Sequence, residues 1–163
     1  MPGSSIRYTG AGNYPGVSIA RFRDTNDFGI HGVNGGGPVD SQNGRAELDG
    51  NSTGNGSGAE WGVVIGNAFT PDPNAGPCTN GVIEGLDVHT VQQEPIKCAE
   101  TGTENIVIAC NMAHNSGLGL NFNNNEFFGE GIYYGQGSGG GAELLDNMDC
   151  RGNWVFDLSL IHI

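Results

Sequence analysis

Basic residues are scarce in this chain. Its 163 residues include six Lys and Arg against eighteen Asp and Glu, for a net charge of −12. A nucleic-acid binder presents a basic stripe along one face, and none is found. The same acidity opposes docking on anionic membranes. Long apolar runs are missing too. Hydrophobic residues make up 36% and come in short runs without a helical period, so long amphipathic helices are not expected. No segment approaches the ~20 apolar residues that span a bilayer. Neither a nucleic-acid partner nor membrane insertion is therefore expected.

Cysteine is limited to Cys78, Cys98, Cys110 and Cys150, and no two stand in CxxC spacing. That excludes the usual zinc sites. Two readings stay open. In an oxidising compartment the four form one or two disulfides, in any of the pairings four cysteines allow. Alternatively, Cys98 and Cys110 fill strand positions as small buried apolar residues. A signal peptide is also lacking, because Met1-Pro2-Gly3-Ser4-Ser5 has neither a basic start nor an apolar core. At the other end, Leu158-Ser159-Leu160-Ile161-His162-Ile163 reads like a translated sequencing adaptor. The expectation is one domain fragment over residues 1–157, cut at both ends, with a non-native tail at 158–163. The missing leader then leaves a secreted protein open.

What the chain has in excess is glycine, thirty residues of it, and a recurring strand pattern. Val82-Ile83-Glu84-Gly85-Leu86-Asp87-Val88-His89 leads to Glu94-Pro95-Ile96-Lys97-Cys98. Val107-Ile108-Ala109-Cys110-Asn111-Met112-Ala113-His114 leads to Glu130-Gly131-Ile132-Tyr133-Tyr134-Gly135. Ile83 and Ile108 are 25 residues apart, as are His89 and His114. A fixed period of this length marks a stacked solenoid. One coil of short strands cannot bury its inward side chains alone, whereas coils stacked about 4.8 Å apart pair every strand with its neighbours. Gly and Asn at the corners supply positive φ. Strands are also expected at Ile6–Tyr8, Val17–Phe22, Ala46–Leu48, Trp61–Ile65 and Trp154–Phe156. A weaker copy upstream aligns Ile19 with Ile83, Phe22 with Leu86 and Ile30 with Ile96. Asn147 aligns with Asn111 as a corner ladder. The fold expected is all-β, a right-handed single-stranded parallel β-helix of four to five coils, truncated.

Alternation in the second strand of each coil places Ile30, Ile96 and Ile132 inward, and His31, Lys97 and Tyr133 outward in one column. Glu94 and Glu130 stand 36 residues apart, like Lys97 and Tyr133, and meet at the entry to that strand. Two such carboxylates either hold a cation, with Ca²⁺ the candidate, or raise the pKa of one member. The chemistry expected is a shallow flank groove. Lys97 and Glu130 are its catalytic candidates, Glu94 and Glu130 its metal ligands, and Tyr133 and His31 its substrate contacts. The plain alternative is a surface ion pair between Glu94 and Lys97 with Tyr133 shielding the sheet. His89 and His114 read as a stacked corner pair rather than a metal site.

Val82–His89, Glu94–Cys98, Asn105–Asn115, Gly129–Gly135 and Leu144–Cys150 resemble the repeats of the pectin lyase-like superfamily of parallel β-helix proteins. The run Phe128-Gly129-Glu130-Gly131-Ile132-Tyr133-Tyr134-Gly135 is similar to a Gly-Glu-Gly-Ile-Tyr segment of secreted bacterial β-helix proteins. The resemblance covers about residues 80–150. It implies a secreted protein that binds or processes an extracellular polysaccharide, as a polysaccharide lyase or glycoside hydrolase if it is an enzyme. A non-catalytic stalk or adhesion module is the alternative it also admits. Terminal coils with unpaired strand edges invite association. Residues 1–157 are accordingly expected to self-associate in sedimentation experiments, and a monomer with a sharp unfolding transition would contradict this.

Overall fold

A computed structural model describes residues 5–9, 18–32, 45–53, 58–66, 76–99, 102–117, 130–135 and 145–158. Thirteen strands run through them: β1 (Ser5–Arg7), β2 (Ser18–Phe22), β3 (Asn26–His31), β4 (Ala46–Asp49), β5 (Trp61–Gly66), β6 (Thr79–Glu84), β7 (Leu86–His89), β8 (Ile96–Ala99), β9 (Glu104–Ala109), β10 (Met112–Ser116), β11 (Ile132–Tyr134), β12 (Asp146–Arg151) and β13 (Trp154–Leu158). Every third strand pairs in parallel. Sheet 1 has the order β1-β4-β7-β10-β13, sheet 2 β11-β8-β5-β2 and sheet 3 β12-β9-β6-β3. The chain is thus a right-handed parallel β-helix with three faces. The expected non-native tail lies mostly outside the described residues; its first residue, Leu158, pairs with Ser116.

Inward side chains stack in columns. Ile30, Ile83, Ile108 and Cys150 follow one another in register on sheet 3. Val63, Ile96 and Ile132 do so on sheet 2, and Leu48, Val88, Ala113 and Val155 on sheet 1. Ile65, Ile83, Leu86, Ile96, Ile106 and Ile108 are fully buried. Each such side chain contributes about 1.5–3 kcal/mol on burial. The outer strands of sheet 1 keep Ile6, Trp154 and Val155 exposed. All four cysteines are free thiols. Cys98 fills an inward strand position, as one reading had it, whereas Cys110 stands at a corner with φ 57°.

The corners are built from residues that tolerate the left-handed region. Asp27, Asn80, Asn105 and Asn147 have φ between 51° and 57° and stand one above another at the start of the sheet 3 strands. Asn80 Nδ2 donates to Asp27 Oδ1 (3.2 Å), Asn105 Nδ2 to Asn80 Oδ1 (3.1 Å) and Asn147 Nδ2 to Asn105 Oδ1 (2.5 Å). A second ladder closes the corner from sheet 3 to sheet 1. Asn111 Nδ2 donates to the Ile83 carbonyl (3.0 Å), and Asn111 Oδ1 accepts from Leu86 N–H (3.0 Å). Asn153 repeats this one coil on, its Nδ2 donating to the Ile108 carbonyl (2.8 Å) and its Oδ1 accepting from Asn111 N–H (2.9 Å).

Four expected alignments shift. Asn147 lies over Asn105, and the residue over Asn111 is Asn153. Ile30 pairs with Ile83 on sheet 3 and not with Ile96, while Phe22 pairs with Ile65 on sheet 2 and not with Leu86. Ile19 lies in β2, on sheet 2, and so cannot align with Ile83. Short alternating strands look alike on all three faces, so matching them by pattern slips by one face wherever turn lengths vary. Coil length does vary: the ladder steps are 25 residues from Asn80 to Asn105 and 42 from Asn105 to Asn147.

Asn111 is fully buried. Its replacement by Ala strands a backbone N–H and a carbonyl without partners, at a cost of about 2–4 kcal/mol. Urea unfolding of Asn111→Ala is expected to show that loss, with a smaller one for the half-buried Asn105→Ala.

Candidate functional site

Sheet 2 carries the cluster in which the candidate residues meet. β5, β8 and β11 place Val64, Lys97 and Tyr133 in register on the outer side, while Ile96 and Ile132 point into the core. Two residues of β5 make the rest. Gly62 approaches the Pro95 carbonyl so closely that a Cβ there would collide with it and with Val88. Trp61 lies apart from the core that Val63 fills, in a separate cluster with Val64. Trp61 Nε1 then donates to Glu94 Oε2 at 2.7 Å.

The other carboxylate oxygen of Glu94 faces Lys97 Nζ at 3.6 Å. The ammonium sits between two aromatic rings, 5.3 Å from the centroid of Trp61 and 5.0 Å from that of Tyr133. Ring faces attract a cation, more strongly where water is excluded. Gly135 leaves room for the Tyr133 ring, since a Cβ there would fall 2.6 Å from the phenol oxygen. Beside the ion pair, Gln93 Nε2 donates to Glu60 Oε1 at 2.5 Å.

The setting differs from the open groove expected. Glu94 is 2% exposed and Lys97 6%. The ion pair is real but buried rather than on the surface. Burial raises the Glu94 pKa above the ordinary glutamate value; the Lys97 charge and the Trp61 N–H oppose that rise, and the Glu130 charge adds to it. Glu130 itself is exposed and Tyr133 half-buried. Lys97, Glu94 and Tyr133 are thus brought together, with Glu130 close enough for its charge to be felt. His31 is not among them. It lies in β3 on sheet 3, where Nδ1 meets Glu84 Oε1 at 2.7 Å, and Lys97 has Val64 and Tyr133 as its register neighbours instead. The Ile30-His31 pattern matches Ile96-Lys97 but lies one face away.

The residues do not fit a Ca²⁺ ion at Glu94. One of its oxygens is taken by an N–H donor and the other faces an ammonium, which a divalent cation would repel. Among the described residues, no three His, Cys, Asp or Glu side chains converge as a metal site requires. Trp61 is the member that sequence reading missed. Its strand was legible, but its clustering with Val64 rather than Val63 breaks the alternation that a strand pattern predicts. His89 and His114 do stack, their centroids 4.9 Å apart. No protein family, curated protein or solved structure matched the chain when it was compared with them.

A carboxyl whose folded pKa is raised stabilises the fold at low pH, and that contribution is lost as pH climbs past the ordinary glutamate value, near 4.5. Glu94→Gln keeps an acceptor for Trp61 and has no such dependence. Its stability relative to the parent chain is expected to improve as pH rises from the acidic range to neutrality, read by urea unfolding across pH. A flat difference would show that Glu94 titrates normally.

Proposed function

We propose that the chain is a β-helix module of a secreted protein that binds an extracellular polysaccharide on the outer flank of sheet 2, without cleaving it. One observation carries the reading. Tyr133 packs one side of its ring near the Lys97 ammonium and stays half-exposed, and the exposed Glu130 is close enough for its charge to act on Glu94 in the same cluster. A fixed aromatic face next to a hydrogen-bond acceptor is what a sugar ring stacks on and bonds to. The resemblance of residues 80–150 to the pectin lyase-like superfamily, which holds carbohydrate-active enzymes and adhesins alike, supports the ligand class.

Binding is favoured over cleavage by the state of the catalytic candidates. A β-elimination site must bring a base to the proton beside a uronate carboxylate. Lys97 is instead enclosed by Trp61, Tyr133 and Glu94. Its role in this reading is to hold the Tyr133 ring in place, and Glu94 compensates its charge.

Affinity electrophoresis against neutral and uronate polymers tests the proposal. Tyr133→Ala is expected to weaken retention by roughly tenfold, equivalent to about 1.4 kcal/mol, and Glu130→Gln by less. Retention unchanged in Tyr133→Ala, or absent for every polymer, would overturn it. Absorbance from unsaturated products, screened with and without Ca²⁺, decides between this reading and a lyase.

A further inference from the structure

Sheet 1 carries a second constellation on its outer side, on a different face from the one just described. His89 ends β7, and Thr90 turns the chain after it. The next coil repeats the arrangement: His114 lies in register over His89 and stacks on it, and Asn115 follows. Thr90, Asn115 and Asp157 all have positive φ, 55°, 48° and 48°. Asn and Asp accept that conformation, while a β-branched residue does so only under strain. Thr90 is thus the misfit of its column, and what it has that Asn115 lacks is a hydroxyl.

That hydroxyl is engaged. Thr90 Oγ1 lies 2.6 Å from His89 Nδ1, and His89 Nε2 lies 2.9 Å from Glu47 Oε1 in β4. Glu47 is ionised, because hydrogen bonds from Ser5 and then His89 hold its carboxyl below the usual range. A carboxylate only accepts, so Nε2 carries the hydrogen. In the neutral ring Nδ1 then has the lone pair, and the Thr90 hydroxyl donates to it. The other carboxylate near Nδ1 is Asp49, at 3.9 Å. Its Oδ2 is taken by Arg7 Nε (3.0 Å) and its Oδ1 by Asn51 N–H (2.8 Å). On the remaining side, His114 Nε2 is held by Asp87 Oδ1 at 2.8 Å. The backbone of the turn is fixed as well, with Gly50 N–H donating to the His89 carbonyl and Ser52 N–H to the Thr90 carbonyl, both at 2.9 Å.

We infer that Thr90, His89 and Glu47 form a nucleophile–base–orienter triad that hydrolyses a small acyl ester, by the same division of roles that activates serine nucleophiles. Thr90 Oγ1 bonds to the acyl carbon while its proton passes to His89 Nδ1. The acyl–oxygen bond to the alcohol breaks, and the departing oxygen takes that proton. Water then gives a proton to Nδ1 and attacks the threonyl ester. The acid leaves, and the proton returns to Thr90. Glu47 acts through His89 as a positioning residue, holding the ring in the tautomer that presents Nδ1. The side chain of His89 is 14% exposed, which suits a short acyl group such as acetyl.

Turnover of 4-nitrophenyl acetate and labelling by a fluorophosphonate, with the adduct mapped by mass spectrometry, test the triad. The adduct is expected on Thr90, and Thr90→Ser should keep turnover within roughly tenfold. Glu47→Gln should lower kcat by at least about tenfold with KM little changed. The decisive variant is Thr90→Asn, which installs the residue of the neighbouring coil. It should melt at a higher temperature than the parent chain and lose turnover by about a hundredfold or more. Thr90→Asn hydrolysing the ester at the parent rate, or an adduct absent from Thr90, would overturn the inference. Neither result bears on glycan retention at Tyr133, so the two proposals fail separately.

Discussion

Everything in this molecule depends on the in-register stacking of left-handed corner residues. A parallel β-helix must change direction at every corner without losing the hydrogen bonds that tie one coil to the next. The Asp27–Asn80–Asn105–Asn147 column meets both demands at once. Each residue adopts the positive φ the bend needs, and each side chain bonds to its equivalent in the adjacent coil. The buried Asn111 and the half-buried Asn153 tie the next corner by bonding to backbone groups of the adjacent coil. The apolar columns of Ile, Val and Leu supply the burial energy, but the asparagines decide where each coil starts.

That regularity gives departures from it their meaning. Trp61 clusters with Val64 outside the core, where strand alternation would set it with Val63, and so its indole N–H meets Glu94 and its ring face Lys97. Burying an ion pair outside the helix core is costly unless its members are otherwise satisfied. Here an N–H donor and two aromatic faces do so. Thr90 is the other departure, a β-branched residue in a column of Asn and Asp. Both stand on outer faces, where the stacking core imposes no side chain.

The fold was legible because two coils of nearly equal length repeat their strands 25 residues apart, and the pairs Ile83–Ile108 and His89–His114 are register partners in the structure. Lys97 and Tyr133 likewise stand in register across a longer step. Legibility failed where coil length changed. His31 was assigned to the Lys97 column because Ile30-His31 and Ile96-Lys97 share an inward–outward pattern, which every face of the helix repeats. Asn147 was matched to Asn111 for the same reason. The count of residues between strands, not their pattern, chooses the face.

By itself, the sequence determined an acidic all-β solenoid of short alternating strands with Gly and Asn at the corners. These follow from local preference and composition, which need no knowledge of distant contacts. Only the tertiary structure decided which residues share a face, that Lys97 and Glu94 are buried rather than open to substrate, and that Glu47, His89 and Thr90 meet. Glu47 and His89 are 42 residues apart in the chain and 2.9 Å apart in space. Such pairings are set by the accumulated length of the intervening turns, a quantity that no local pattern encodes.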